Sequence, residues 1–127
     1  MSTFAKDTVA AIIAKWSAAF NKLDAKTLAQ LYSKHALFFG SKASLYRGND
    51  GVASYFNGLP RWRAPTVQFT DAVAELVNHD LINFAGTANF TVDPDPPLSV
   101  KITWVIARED GGWKIVSHHV SSRTPLL

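Results

Sequence analysis

The stretch Leu98-Ser99-Val100-Lys101-Ile102-Thr103-Trp104-Val105-Ile106-Ala107-Arg108-Glu109, followed by Asp110-Gly111-Gly112 and then Trp113 to Ser121, decides how this chain folds. Val100, Ile102, Trp104 and Ile106 recur at every second position, the side-chain period of a strand with one buried face. Asp110-Gly111-Gly112 reads as a tight hairpin turn. Thr103, Val105 and Ala107 make the opposite face partly apolar too, and Trp113 and Ile115 on the next strand are expected to add to it. A sheet covered on one side only should alternate apolar with polar residues, so the second side needs a cover of its own. The chain's own terminus or first helix could provide it. The simpler expectation is a homodimer through the outer sheet face, in which a second copy of the same sheet lies against the first.

Upstream of this hairpin, the period of two extends back to Thr66. Thr66 to Val77 reads as one strand or as two joined by a bulge, Asn78-His79-Asp80 as a turn, and Leu81 to Val92 as a strand. The loop Asp93-Pro94-Asp95-Pro96-Pro97 then leads into the quoted segment. Before Thr66 the period is helical. Val9, Ile12, Ile13, Trp16, Phe20 and Leu23 recur at threes and fours after a capping Ser2 or Thr3. Asp24 offers a second cap to a short helix with Leu28, Leu31 and Tyr32 on one side, closing near Ser33-Lys34. Ala36 to Phe39 reads as a brief strand, and Gly40 to Gly48 as a polar connection or small hairpin. A third helix after Asn49 or Asp50 buries Val52, Tyr55, Phe56 and Leu59, and Gly58 with Pro60 stops it. Helices followed by long antiparallel strands give an α+β fold, with N-terminal helices packed on one face of a curved antiparallel sheet.

Composition narrows the function classes. At 127 residues the chain is expected to be a single domain spanning 1–127. Its 47% hydrophobic content supports a core without staples, and with no cysteine, disulfides, thiol nucleophiles and cysteine zinc sites are excluded. The net charge is only +3, and the early lysines are spaced as a solvated helix face, so a nucleic-acid partner is not expected. Arg61-Trp62-Arg63 is the one tight basic cluster. Its Trp is expected to pack inward or rim a cavity rather than stack on a base. The apolar run Val9 to Ala14 is too short for a membrane span, and the default is a soluble, cytoplasmic protein.

The order of elements resembles the nuclear transport factor 2-like cone, the SnoaL-like or cystatin-like superfamily that includes ketosteroid isomerase, scytalone dehydratase and polyketide cyclases. Leu45-Tyr46-Arg47-Gly48-Asn49-Asp50-Gly51-Val52-Ala53-Ser54-Tyr55-Phe56 looks like the family's v-R-G-x-d-x-I-x-x-Y-F segment. Arg108 to Pro125 looks like the R-x-D-G-x-W-x-I-V-x-x-H-x-S-x-x-P ending of small bacterial proteins of the SgcJ/EcaC type and of the calcium/calmodulin-dependent protein kinase II association domain. The resemblance implies a cavity between helices and sheet, and an activity that varies widely on this fold. Isomerase-like relatives place a catalytic aspartate just after the first strand, where this chain has Phe39-Gly40-Ser41. Two cavity arginines of the kinase association domain fall here on Trp104 and Val120.

Residues that are polar yet share a phase with core residues are the candidates for a site in such a cavity. Asp71 falls in the phase of Val67, Phe69 and Val73, where partial desolvation would raise its pKa toward that of a general base, unless a bulge turns it to water. His118 falls in the phase of Val116 and Val120, as a catalytic group or as a core histidine with a partner. His119 points the other way and is expected, with Ser121, at the subunit contact or the chain end. Tyr32, Tyr46, Tyr55, Trp62 and Trp104 are the candidate aromatic wall for a ligand that His118 would also touch. No cofactor or metal is expected: adjacent strand histidines face opposite ways, and His35 and His79 lie in other segments. The favoured function is a homodimeric domain that binds a small, mainly apolar molecule. The alternatives are a cofactor-free isomerase, dehydratase or cyclase with Asp71 or His118 as base and Tyr46 or Tyr55 as donor, and an oligomerisation module resembling the kinase association domain.

Overall fold

The change from helical to strand period at Thr66 also divides the structure, a computed structural model that describes residues 3–127. Three helices, α1 (Phe4–Asn21), α2 (Ala25–Ala29) and α3 (Gly48–Asn57), pack on one sheet of six strands. The strands are β1 (Tyr32–Phe39), β2 (Tyr46–Arg47), β3 (Thr66–Asn78), β4 (Leu81–Thr91), β5 (Leu98–Glu109) and β6 (Gly112–Ser122). Their order across the curved, unclosed sheet is β2-β1-β6-β5-β4-β3. The fold is the nuclear transport factor 2-like cone.

Helix α1 buries Val9, Ile12, Trp16 and Phe20 along one stripe, as its period requires. Thr3 occupies its N-cap position, but its hydroxyl bonds the Asp7 carboxylate at 3.2 Å rather than a backbone N–H. The alternative cap, Ser2, lies outside the described residues. Asp24 caps α2 as expected, accepting from the Thr27 amide at 3.1 Å and the Thr27 hydroxyl at 2.7 Å.

Several boundaries differ from the sequence reading. Helix α2 ends at Ala29 instead of Ser33-Lys34, and Tyr32 opens β1. The reason is non-local: the Ile115 amide donates to the Leu31 carbonyl at 2.9 Å, and β1 docks beside β6. That pairing is parallel, so the sheet is not antiparallel throughout. Helix α3 starts at Gly48, ahead of Asn49 and Asp50, because Gly48 turns the chain out of β2 at φ 68°.

The inner face of the sheet carries Val100, Ile102, Trp104 and Ile106 of β5, all buried. Ile115 was expected on the outer face, but it is fully buried within the core. A bulge accounts for this, since Val105 pairs with Ser117 but Ile106 pairs with Ile115, leaving Val116 unpaired and reversing the phase upstream of it. Trp113 lies on the helix side as well, its ring 5.8 Å from that of Phe4 in α1.

Candidate functional site

Between the helices and the inner face lies a cavity of about 100 Å³. Its walls come from Trp16 and Phe20 of α1, Tyr55 and Phe56 of α3, Phe38 of β1 and the strand residues Ile102 and Val120. Leu59 and Trp62 on one segment and Val92 and Leu98 on another flank one end. These two segments are tied together: the Trp62 Nε1–H donates to the Asp95 carboxylate at 2.9 Å, and the Arg63 amide donates to the Asp93 carbonyl at 3.2 Å. Arg61 does not line the cavity. Its guanidinium donates to the carbonyls of Phe56 and Asn57 at 3.4 and 3.3 Å, closing the end of α3.

Polar chemistry is sparse in this space. Tyr55 and Ser41 form one polar group: the Tyr55 hydroxyl accepts from the Ser41 amide at 2.9 Å and lies 2.8 Å from the Ser41 hydroxyl. Gly40 makes this possible, because a Cβ there would fall 2.4 Å from the Tyr55 ring. His118 is the other polar group. It is 4% exposed, and its ring stacks on Phe38 with centroids 3.9 Å apart.

The hydrogen bonds around His118 fix its protonation. The Trp104 indole N–H, which can only donate, points at His118 Nδ1 at 2.9 Å. Nδ1 must therefore be the lone-pair nitrogen, and the single proton of the neutral ring sits on Nε2. The Tyr32 hydroxyl also lies 2.9 Å from Nδ1 and donates its proton there, while accepting from the Trp16 indole N–H at 2.9 Å. Burial pushes the His118 imidazole down to about pKa 3, with a smaller contribution from neighbouring His119. Burial likewise holds the Tyr32 phenol above its ordinary range. The result is a neutral imidazole locked in one tautomer by two donors on one nitrogen.

Of the residues singled out from sequence, the structure brings His118, Tyr55 and Trp62 to the cavity wall. Tyr32 and Trp104 stand behind it: they are 1% and 0% exposed and touch the wall residues His118 and Trp16 from behind. Tyr46 is half-buried on β2, edge-on to Tyr55 and Phe38, and is not part of the wall. Asp71 is elsewhere altogether. It sits at φ 53° in the bulge between Thr70 and Val73, exposed to solvent and outside the cavity lining, so it shares no site with His118. His35 and His79 lie on β1 and in the β3–β4 turn, and no metal-ligating cluster forms among the described residues.

Sequence reasoning missed Trp16, Phe20, Phe38 and Ser41 as site residues. The first three sit in apolar phases that look identical whether they face a core or a void. The signal for Ser41 was the glycine before it, which permits the close approach of a ring.

Comparison with known proteins agrees with this architecture. The family model of the SnoaL-like domain matches residues 9–125, and the chain belongs to that family. No curated protein matches the sequence. Among solved structures, it is similar to a candidate calcium/calmodulin-dependent protein kinase II association domain from Xanthomonas campestris, at 22% identity and TM-score 0.83, covering 94% of this chain and 87% of that one. A nuclear transport factor 2-like protein of unknown function from Pseudomonas putida gives 17% identity and TM-score 0.85, covering 99% and 92%. Hexachlorocyclohexane dehydrochlorinase LinA-type3 from Novosphingobium barchaimii gives 17% identity and TM-score 0.75, covering 94% and 86%. At these identities the likeness carries the fold.

Proposed function

We propose that this chain is a ligand-binding domain that holds a small, mainly apolar molecule in the cavity between helices and sheet and works as a homodimer. The observation that carries the reading is an internal space walled almost wholly by aromatic and aliphatic side chains, with His118, Tyr55 and Ser41 as its few polar groups. Its volume of about 100 Å³ is near that of cavities that accept benzene, at roughly 150 Å³, and below the roughly 300–1,000 Å³ of drug-sized sites. A single ring fits this scale. Pairing through the outer sheet face is supported by Leu37 and Phe39 of β1, which are 46% and 38% exposed, and by half-buried Val105 and Ala107 of β5.

The dehydrochlorinase among the similar structures favours a second reading, cofactor-free proton abstraction. The geometry supports it less. Among the described residues no carboxylate lines the cavity, and the His118 nitrogen free to meet a substrate carries a proton instead of a lone pair.

Titrating the protein with toluene while following backbone amide shifts tests the binding reading. Saturable shifts are expected at Trp62, Val120 and Ile102, and shifts confined to the outer surface would reject it. Light scattering tests the assembly: a dimer is expected, and a large ring would favour the association-domain reading.

A further inference from the structure

The His118 ring offers its two nitrogens to different surroundings. Nδ1 is occupied by Trp104 and Tyr32, which stand behind the cavity wall. Nε2 has no hydrogen-bond partner among the described residues. Among the described residues, no fully buried side-chain nitrogen or oxygen lacks a partner, so an unbonded Nε2 must keep contact with open space. His118 is a lining residue of the cavity, the open space next to it described above. Because Nδ1 must accept from an indole, Nε2 must carry the proton, and the cavity receives a fixed N–H donor in a mainly apolar wall whose other polar group is the mutually bonded Ser41–Tyr55 pair.

We infer that His118 Nε2–H is the recognition point for the ligand, which is a neutral, ring-sized molecule with an apolar body and one hydrogen-bond acceptor, such as a ketone or ether oxygen, at its inner end. This rests on the cavity-binding reading and narrows it. An apolar molecule with no acceptor would leave the N–H unpaired, at a cost of about 1–3 kcal/mol. A carboxylate or phosphate would lose its hydration without meeting a cation, because no Lys or Arg among the described residues lines the cavity. A ligand donor aimed at His118 would meet another N–H. Trp104 and Tyr32 are positioning residues here: they hold the tautomer and touch no ligand themselves. The low proton affinity of the buried ring keeps the donor neutral through the physiological range.

The test uses the wild-type protein at pH 7 with two probes of one shape, cyclohexanone and methylenecyclohexane. Imidazole nitrogen shifts of His118 are followed by long-range proton–nitrogen NMR, and dissociation constants come from the same titrations. In the free protein, His118 is expected to show the Nε2-protonated neutral pattern. A protonated Nδ1 or an imidazolium would overturn the inference. Cyclohexanone is expected to bind about tenfold more tightly than methylenecyclohexane and to move the Nε2–H resonance downfield. Equal affinities with an unmoved Nε2–H would reject the recognition point while leaving the apolar cavity as a binding site. If neither probe binds, the binding reading fails along with it. His118→Leu should abolish the tenfold preference, and a preference that survived in this variant would place the acceptor elsewhere.

Discussion

Two neighbouring rows of side chains cross the same strands on opposite faces. On the inner face, Phe38, His118, Trp104, Phe84 and Ala74 are successive cross-strand partners from β1 to β3. One position along, Phe39, His119, Thr103, Ala85 and Val73 make the corresponding outer row. The inner row buries its histidine, and the outer row leaves His119 exposed with its ring 5.5 Å from that of Phe39. The two imidazoles are adjacent in sequence, yet they face opposite sides of the sheet, and burial depresses the proton affinity of His118. Strand alternation decides which histidine faces the cavity. The difference also separates the energetics: inner-row changes should act on folding, outer-row changes on association.

The largest effect is expected from Trp104→Ala. Removing a fully buried Trp should cost about 3–5 kcal/mol of stability, measured by urea denaturation, and the loss of its N–H leaves His118 Nδ1 to the Tyr32 hydroxyl alone. A cost below about 1 kcal/mol would mean that the inner row is not a packed core.

Next comes the pH dependence of the same row. His118 has a folded pKa near 3, below its unfolded value of about 6.5. Between these values the unfolded chain binds a proton that the folded chain excludes, so stability is full above about pH 6.5 and falls as pH drops toward 3. The slope from this group reaches about 1.4 kcal/mol per pH unit. His118→Gln, which does not titrate, should lack that contribution. Denaturation midpoints of the two proteins should therefore converge as the solution is acidified from pH 7 to pH 4. Parallel curves would show that His118 is not held neutral.

How much of this was readable in advance differs between the rows for physical reasons. The inner phase of β5 was legible because Val100, Ile102, Trp104 and Ile106 form an unbroken apolar row while the alternate positions mix Lys101 and Thr103 with Val105 and Ala107, and both ends of that strand fall where the sequence puts them. His118 was legible as inward-facing, but through the wrong companion: the bulge at Val116 makes Ile115 the buried residue upstream. Ile115 and Val116 are both apolar, so no alternation marks the slip. Tyr32 reads as helical because Leu28, Leu31 and Tyr32 have helical spacing, and its strand conformation comes from β6, more than eighty residues away. Asp71 has the phase of a buried residue, and the bulge that exposes it depends on an aspartate accepting a positive φ. Propensity and phase see one segment at a time. Parallel pairing, bulges and the void between layers are properties of segments meeting.

A smaller effect sharpens the inner side of the comparison. Gly40→Ala would push a Cβ to 2.4 Å from the Tyr55 ring beside the cavity and part the Ser41–Tyr55 bonds. Overpacking of this kind costs about 1–3 kcal/mol. Because the clash is with a side chain, Gly40→Ala combined with Tyr55→Leu should cost less than the sum of the single changes, and strict additivity in that cycle would show that the two do not touch.

The smallest effect on folding, and the sharpest on assembly, is expected on the outer face. Leu37 is 46% exposed and pairs across the sheet with Ser117, which in turn pairs with Val105, so it heads an outer row that includes part of the exposed apolar surface. Leu37→Lys removes no buried packing, and surface changes of this sort usually shift protomer stability by no more than about 0.5 kcal/mol. If two outer faces meet around a twofold axis, however, each changed position occurs twice in the interface, and two ammonium groups must be desolvated there without partners. Sedimentation equilibrium should then find the variant monomeric at concentrations where the parent is a dimer, with near-unchanged unfolding in dilute solution. A variant that stays dimeric, with the association constant of the parent, would move the subunit contact off this face and leave the apolar half of the outer rows without a role.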